Sequence, residues 1–108
     1  MKEFFVETNT LAERDIAEVF FYYSEILKER EIAEKIYFSI KEEVMSLAHM
    51  PQRHPIIDEY PYSETGIRRT FVKNYVIFYV VLEEIEKVLV LRILHNRREW
   101  HDLLNYSE

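Results

Sequence analysis

This chain has few places where its backbone can turn freely. Its 108 residues include one glycine, Gly66, and three prolines, at positions 51, 55 and 61. Breakers are confined to one stretch, so the segments on either side must be regular structure that turns without glycine. The apolar pattern also changes character there. Before it, Ile16, Val19, Phe20, Tyr23, Ile26 and Leu27 recur in steps of three and one, which is one face of a helix. Ala33, Ile36, Tyr37, Ile40, Val44, Leu47 and Ala48 form a second such face. The two stripes are out of phase across the charged run Lys28-Glu29-Arg30-Glu31, so the reading is two helices in a hairpin rather than one rod. Thr10-Leu11-Ala12-Glu13 has capping-box spacing and predicts the start of the first helix.

After Gly66 the pattern is that of strands. Ile67 to Val72, Tyr75 to Leu82 and Val88 to Leu94 are short apolar runs rich in β-branched and aromatic residues. Lys73-Asn74 can close a tight turn in which Asn takes the positive φ, and Glu83 to Glu86 form a second turn. A further strand is expected over Lys2 to Glu7, around Phe4, Phe5 and Val6. A short amphipathic tail helix is expected from Arg97 to Leu104, carrying Trp100, Leu103 and Leu104. The expectation is an α+β domain spanning 1–108 with the order β-α-α-β-β-β. The helical hairpin packs on one face of a small antiparallel sheet. The sheet's other face is left for function.

Composition narrows the chemistry. There is no cysteine, so disulfides and thiolate metal sites are excluded, and a reducing cytoplasm fits. The start, MKEFFVETN, is neither a signal peptide nor an anchor, and no apolar run approaches the roughly 20 residues that span a bilayer, so no membrane is expected. His49 and His54 are five apart across a proline, and His95 and His101 six apart; neither is a ligand pair on one helix face, and no metal or cofactor is expected. Gly-rich phosphate loops and nucleophile elbows are absent. Net charge is −6, which argues against non-specific nucleic-acid binding. The charge is uneven. Residues 1–50 carry six Lys/Arg against eleven Asp/Glu, and residues 66–104 carry seven against five.

The candidate functional residues lie mostly in that last third. Arg68 and Arg69 are neighbours on a strand and point to opposite faces. Arg92 interrupts an apolar strand, either as a binding residue or paired with a carboxylate at the core edge. His95, Arg97, Arg98 and Trp100 follow in one run, where imidazole can exchange protons and guanidinium can clamp phosphate or carboxylate. On the hairpin, Tyr22, Tyr23, Tyr37 and Phe38 are more aromatics than two helices need for one buried face.

Together LAERDIAEVFFYY, SLAHMPQRHP, GIRRTFVKNYVIFYVV and VLVLRILHNRREW resemble the RelE/ParE family of bacterial toxins, over about residues 3–104. The resemblance implies the toxin of a type II toxin–antitoxin pair, with growth inhibition and plasmid stabilisation as its setting. A cognate antitoxin is implied as partner, in a hetero-oligomer or with a homodimer. Within the family, a ParE-like reading implies DNA gyrase as target. A RelE-like reading implies metal-independent cleavage of mRNA on the ribosome, with Arg69, His95 and Arg97 as the catalytic set. A third reading is a non-toxic member that acts only as a binding module. Residues 54–65 hold no Lys or Arg to match the lysines of RelE itself, and the ending R-I-L-H-x-R-R is closer to ParE-type members, which puts gyrase first. Arg68, Arg69, Arg92, Arg98, Trp100, Tyr22 and Tyr23 are then the expected target- or antitoxin-binding residues.

Overall fold

The computed structural model describes residues 2–98 together with Trp100, His101 and Leu104. Strand β1 (Phe5–Thr8) leads into helix α1 (Thr10–Phe21), which continues as a π-helical turn over Tyr22–Ile26. Helix α2 (Arg30–Ser46) returns antiparallel to α1. A 3-10 turn at Pro51–Arg53 and the one-turn helix α3 (Tyr62–Thr65) fill the proline-rich stretch. Strands β2 (Arg68–Val72), β3 (Tyr75–Leu82) and β4 (Lys87–His95) form the expected meander.

Two local expectations shift by a residue. The first helix is capped by Asn9, whose side chain accepts from the Ala12 amide at 2.9 Å, not by Thr10. In the β2–β3 turn it is Lys73 that takes the positive φ, at 55°, and not Asn74. The hairpin turn between the helices also lacks glycine, and Lys28 adopts φ 57° there. The expected tail helix includes Glu99, Asp102 and Leu103, which lie outside the described residues. Of the rest, the Leu104 amide donates to the Trp100 carbonyl at 2.8 Å.

The sheet is mixed rather than antiparallel. Its order is β1-β4-β3-β2, and β1 runs parallel to β4. The long connection between them, through the helical hairpin and two further strands, permits this, because it can bring the chain back in either sense. Strand β4 is therefore central. Its pairing with β1 spans only Lys87 to Val90, so the rest of β4 has no strand on that side.

Both faces of the sheet are covered. Against the helices, Ile16, Val19, Ile40, Val44 and Leu47 bury Ile77, Tyr79, Val88 and Val90. On the other face, Ile57, Ile67 and Leu104, with Tyr62 and Trp100, cover Val76, Phe78, Val80 and Leu91. The expected open face is thus largely occupied by the proline-rich stretch and the tail. The meander's hydrophobic residues are the reason: strand β3 is apolar on both sides, so a single helical layer would leave half of it in water.

One half-buried group makes stability depend on pH. His54 Nε2 has no hydrogen-bond partner among the described residues and lies 4.0 Å from the Glu43 carboxylate, which accepts instead from Thr70. Burial, then the nearby Arg53, holds the His54 pKa below its ordinary 6.5; Glu43 opposes this and Arg68 adds to it. The folded state therefore prefers neutral His54. Its contribution is complete above pH 6.5 and is lost as pH falls below that value. Thermal melts of the parent should fall below pH 6.5, and His54→Gln should flatten that limb. Equal slopes for the two proteins would show that other groups carry the effect.

Candidate functional site: a groove at the free edge of the central strand

Where β4 outruns β1, helix α1 takes the place of a neighbouring strand. The β3–β4 register slips by one between Phe78 and Tyr79, leaving Leu91 as the extra residue of a bulge. A bulge resets the alternation of side chains. Here Val90 and Ile93, three residues apart, both join the core beneath α1, and Arg92 beside them reaches Asp15 of α1. The Asp15 carboxylate accepts from Arg92 Nε at 2.8 Å, from Arg92 Nη2 at 2.9 Å and from the Ile93 amide at 2.9 Å. It satisfies a strand-edge amide that no strand reaches, and its own charge is matched by a bidentate guanidinium. Asp15 is buried, at 5% exposure. Its hydrogen bonds hold the Arg92 pKa above the usual value.

Arg92 is thus paired with a carboxylate at the core edge, the second of the two readings its sequence position allowed. A guanidinium this little exposed needs such a partner.

Just beyond this tie, the π-helical turn and the end of β4 enclose a groove of about 410 Å³. Val19, Leu27, Ile93 and Leu94 supply apolar wall. Tyr22, Tyr23 and Tyr75 supply rings, with His95 and Arg98 at one end. A π turn holds an extra residue per turn and disturbs helical phase. Here it carries Tyr22 and Tyr23 side by side into the groove, their rings edge to face at 5.3 Å. Tyr22 stays 48% exposed, while Tyr23 packs against the core. The Tyr75 hydroxyl pairs with Tyr23, and burial first, then that bond, pushes its pKa above the ordinary tyrosine range, so it stays neutral. The His95 ring lies edge-on to Tyr75 at 5.3 Å. His95 Nδ1 accepts the Arg97 amide at 3.1 Å, which leaves Nε2 to carry the proton.

Four residues singled out in the sequence, Tyr22, Tyr23, His95 and Arg98, therefore converge from segments about seventy residues apart. The others do not join them. Arg68 donates to the carbonyls of His54 at 2.6 Å and Gln52 at 3.2 Å, fastening the proline-rich stretch. Arg69 points to the opposite face, with its guanidinium 5.7 Å from the Phe71 ring centre and 5.9 Å from that of Trp100. Trp100 itself packs with the second core cluster. Arg97 is exposed on the turn after β4. Arg69 and His95 lie on opposite sides of the sheet, so the trio Arg69, His95 and Arg97 forms no single site. Sequence reasoning missed Asp15, Leu27 and Tyr75 as groove residues. Asp15 carried a signal, since it is a charged residue on the apolar stripe of α1.

Among the described residues no cluster of His, Asp and Glu could hold a metal ion, and no helix is long and apolar enough to cross a membrane.

Comparison with known proteins places these features in context. The sequence profile of the ParE toxin of the type II toxin-antitoxin system parDE matches residues 6–100. No curated protein sequence matches the chain. Among solved structures, a chain of the chromosomal ParDE toxin–antitoxin system from P. aeruginosa is similar, with a TM-score of 0.70 and 21% identity over 86% of this chain and 96% of that one. A chain of the RelBE2 toxin–antitoxin complex from Mycobacterium tuberculosis is similar with a TM-score of 0.66 and 19% identity, over 86% and 98%.

Proposed function

Because the chain belongs to the ParE toxin family of type II toxin–antitoxin systems, we propose that it is a growth inhibitor acting on DNA gyrase, silenced by an antitoxin seated in the groove beside the π turn. The observation that carries the choice of target is the separation of Arg69 from His95 by the full thickness of the sheet. General acid–base cleavage of RNA needs its proton-transfer groups and its phosphate clamp around one bond, within hydrogen-bond reach. Arg69 is stacked among aromatics on one face, and His95 is turned into the groove on the other. A protein that works by binding needs no such convergence.

The antitoxin reading draws on the surface itself. Phe21, Tyr22, Ile26 and Leu27 are all exposed around the hairpin tip, at 43–58%. Exposed aromatics next to a preformed groove are the usual anchors of a protein interface. Similarity to chains from toxin–antitoxin complexes fits this partner.

Gyrase supercoiling assays test the target. Added purified protein should lower supercoiling in proportion to its concentration, and induction in cells should break DNA. Unchanged supercoiling together with cleavage of ribosome-bound mRNA would transfer the assignment to the ribosome. Induction without growth arrest would leave only a binding module.

A further inference from the structure

Helix α2 turns Ile40 and Val44 into the core and shows Phe38 and Met45 to water, at 66% and 60% exposure. A lone exposed ring needs no explanation, but the charges that frame this one have a symmetry. Phe38 is the middle residue of α2 (Arg30–Ser46). From Glu34 to Glu42 the chain reads EKIYFSIKE, a palindrome about Phe38 apart from Tyr37 and Ser39. At about 3.6 residues per turn, Glu34 and Lys41 fall on one flank of Phe38, and Lys35 and Glu42 on the other. These four charges cancel, on a chain whose net charge is −6. Glu34 meets the exposed Arg30 at 3.3 Å, and Lys41 rests 5.9 Å from the Tyr37 ring centre. Lys35 and Glu42 make no ion pair among the described residues. A hollow of about 450 Å³ adjoins Phe38, lined by Glu31, Glu34, Lys35, Ser39 and Lys73.

Such a face complements itself. We propose that it docks a second copy of this chain, α2 antiparallel to α2, with Phe38 on Phe38 at a two-fold axis. That axis crosses α2 at right angles and lies in the contact plane, so it reverses direction along the helix while keeping each flank on its own side. Glu34 then comes beside the copy's Lys41, and Lys35 beside the copy's Glu42, each offset by one residue or about 1.5 Å along the helix. Four opposite-charge pairs result, two on each flank. Met45 falls level with the copy's Glu31, at the hollow. A parallel pair would instead set Glu31 on the copy's Glu31 and align the two helix dipoles, which the antiparallel pair avoids. A repulsive −6 chain otherwise keeps its copies apart, and this locally neutral strip is where they can meet. A helix of 17 residues covers less than the roughly 800 Å² per partner of a standard interface, so the dimer is weak and reversible, with a Kd of roughly ten to a hundred micromolar. The inference is independent of the target and of the antitoxin.

Charge reversal tests it on the whole protein by sedimentation velocity, over roughly 5–500 micromolar to bracket that affinity. The weight-average mass of the parent should rise from that of one chain toward that of two. Lys35→Glu sets carboxylates together on one flank, and Glu42→Lys sets ammonium groups together there. Each variant alone should associate roughly tenfold more weakly, since two attractive pairs become repulsive. An equimolar mixture of the two variants should regain the parent's association, because every flank pair is again of opposite sign. A variant that had merely misfolded would not be rescued by mixing, and neither would a parallel pair. Phe38→Lys should abolish association. A parent that keeps the mass of one chain throughout, single variants that associate as the parent does, or a mixture no better than its components would each overturn the proposal. So would a monomeric parent in which Phe38→Lys weakens capture of the adjacent reading frame's product, since another protein would then cover this face.

Discussion

Asp15→Ala is expected to lower the free energy of unfolding by about 3–5 kcal/mol. The substitution strands two groups at once. Arg92, with only 14% of its side chain exposed, keeps its charge but loses the two hydrogen bonds to Asp15. The Ile93 amide loses its acceptor at the one part of β4 that β1 does not reach. The cost of such a change comes mainly from what is left unpaired and less from the bond removed. Two comparisons separate those contributions. Arg92→Met with Asp15→Leu should recover much of the loss, since two apolar residues of similar bulk leave no buried charge. Asp15→Asn should fall between, because an amide oxygen can still accept from Ile93. Urea unfolding monitored by circular dichroism reads all three. A single Asp15→Ala variant within about 0.5 kcal/mol of the parent would mean that the contact is incidental.

Tyr22→Ala is expected to leave unfolding within about 0.5 kcal/mol of the parent and to weaken antitoxin binding by roughly thirtyfold. That factor corresponds to the approximately 2 kcal/mol that defines an interface hot spot. Tyr22 is nearly half exposed in the free protein, and its one described ring contact is with Tyr23. It therefore contributes little to the fold and most of its ring area to a partner. Calorimetry with the product of the adjacent reading frame measures the affinity. Co-expression gives the cellular counterpart, since a toxin that escapes its antitoxin should arrest growth. Unchanged affinity for the variant would move the antitoxin to another surface and leave the groove to a different ligand.

Much of this architecture could be read from the order of residues, and the part that could not has a specific cause. Helical spacing at Ile16, Val19 and Tyr23, and again at Ile36, Ile40 and Val44, reported the hairpin, because burying one face of a helix forces that period. The runs from Tyr75 and Val88 reported strands for the same reason. The parallel pairing of β1 with β4 was not legible, since Phe4-Phe5-Val6 describes a strand but not its neighbour. The bulge at Leu91 was equally silent: a one-residue slip leaves VLVLRIL looking like a regular strand while setting Ile93 on the same face as Val90. The groove was half legible. Tyr22, Tyr23, His95 and Arg98 stood out as chemistry-bearing residues, but their convergence depends on the π turn and on the bulge, two local irregularities with no marker of their own. The misfit charges were the best clue. Asp15 on an apolar helix face and Arg92 in an apolar strand each lacked a reason alone, and each is the other's explanation.

The pairing of the first strand with the last has a consequence in time. Translation delivers β1, α1 and α2 well before β4, yet β4 is the strand on which β1, β3 and Asp15 all depend. Until residue 95 has been added, the sheet has no centre. Until Arg98 has been added, the groove lacks one of its ends. A nascent chain therefore offers a helical hairpin with its apolar stripe uncovered, but neither the finished fold nor the completed groove. Contacts this distant in sequence also slow folding after release, because a long loop must close before they can form. For the growth inhibitor proposed above, this delay is an interval in which synthesis has finished, activity has not begun, and a partner already present can reach the hairpin first.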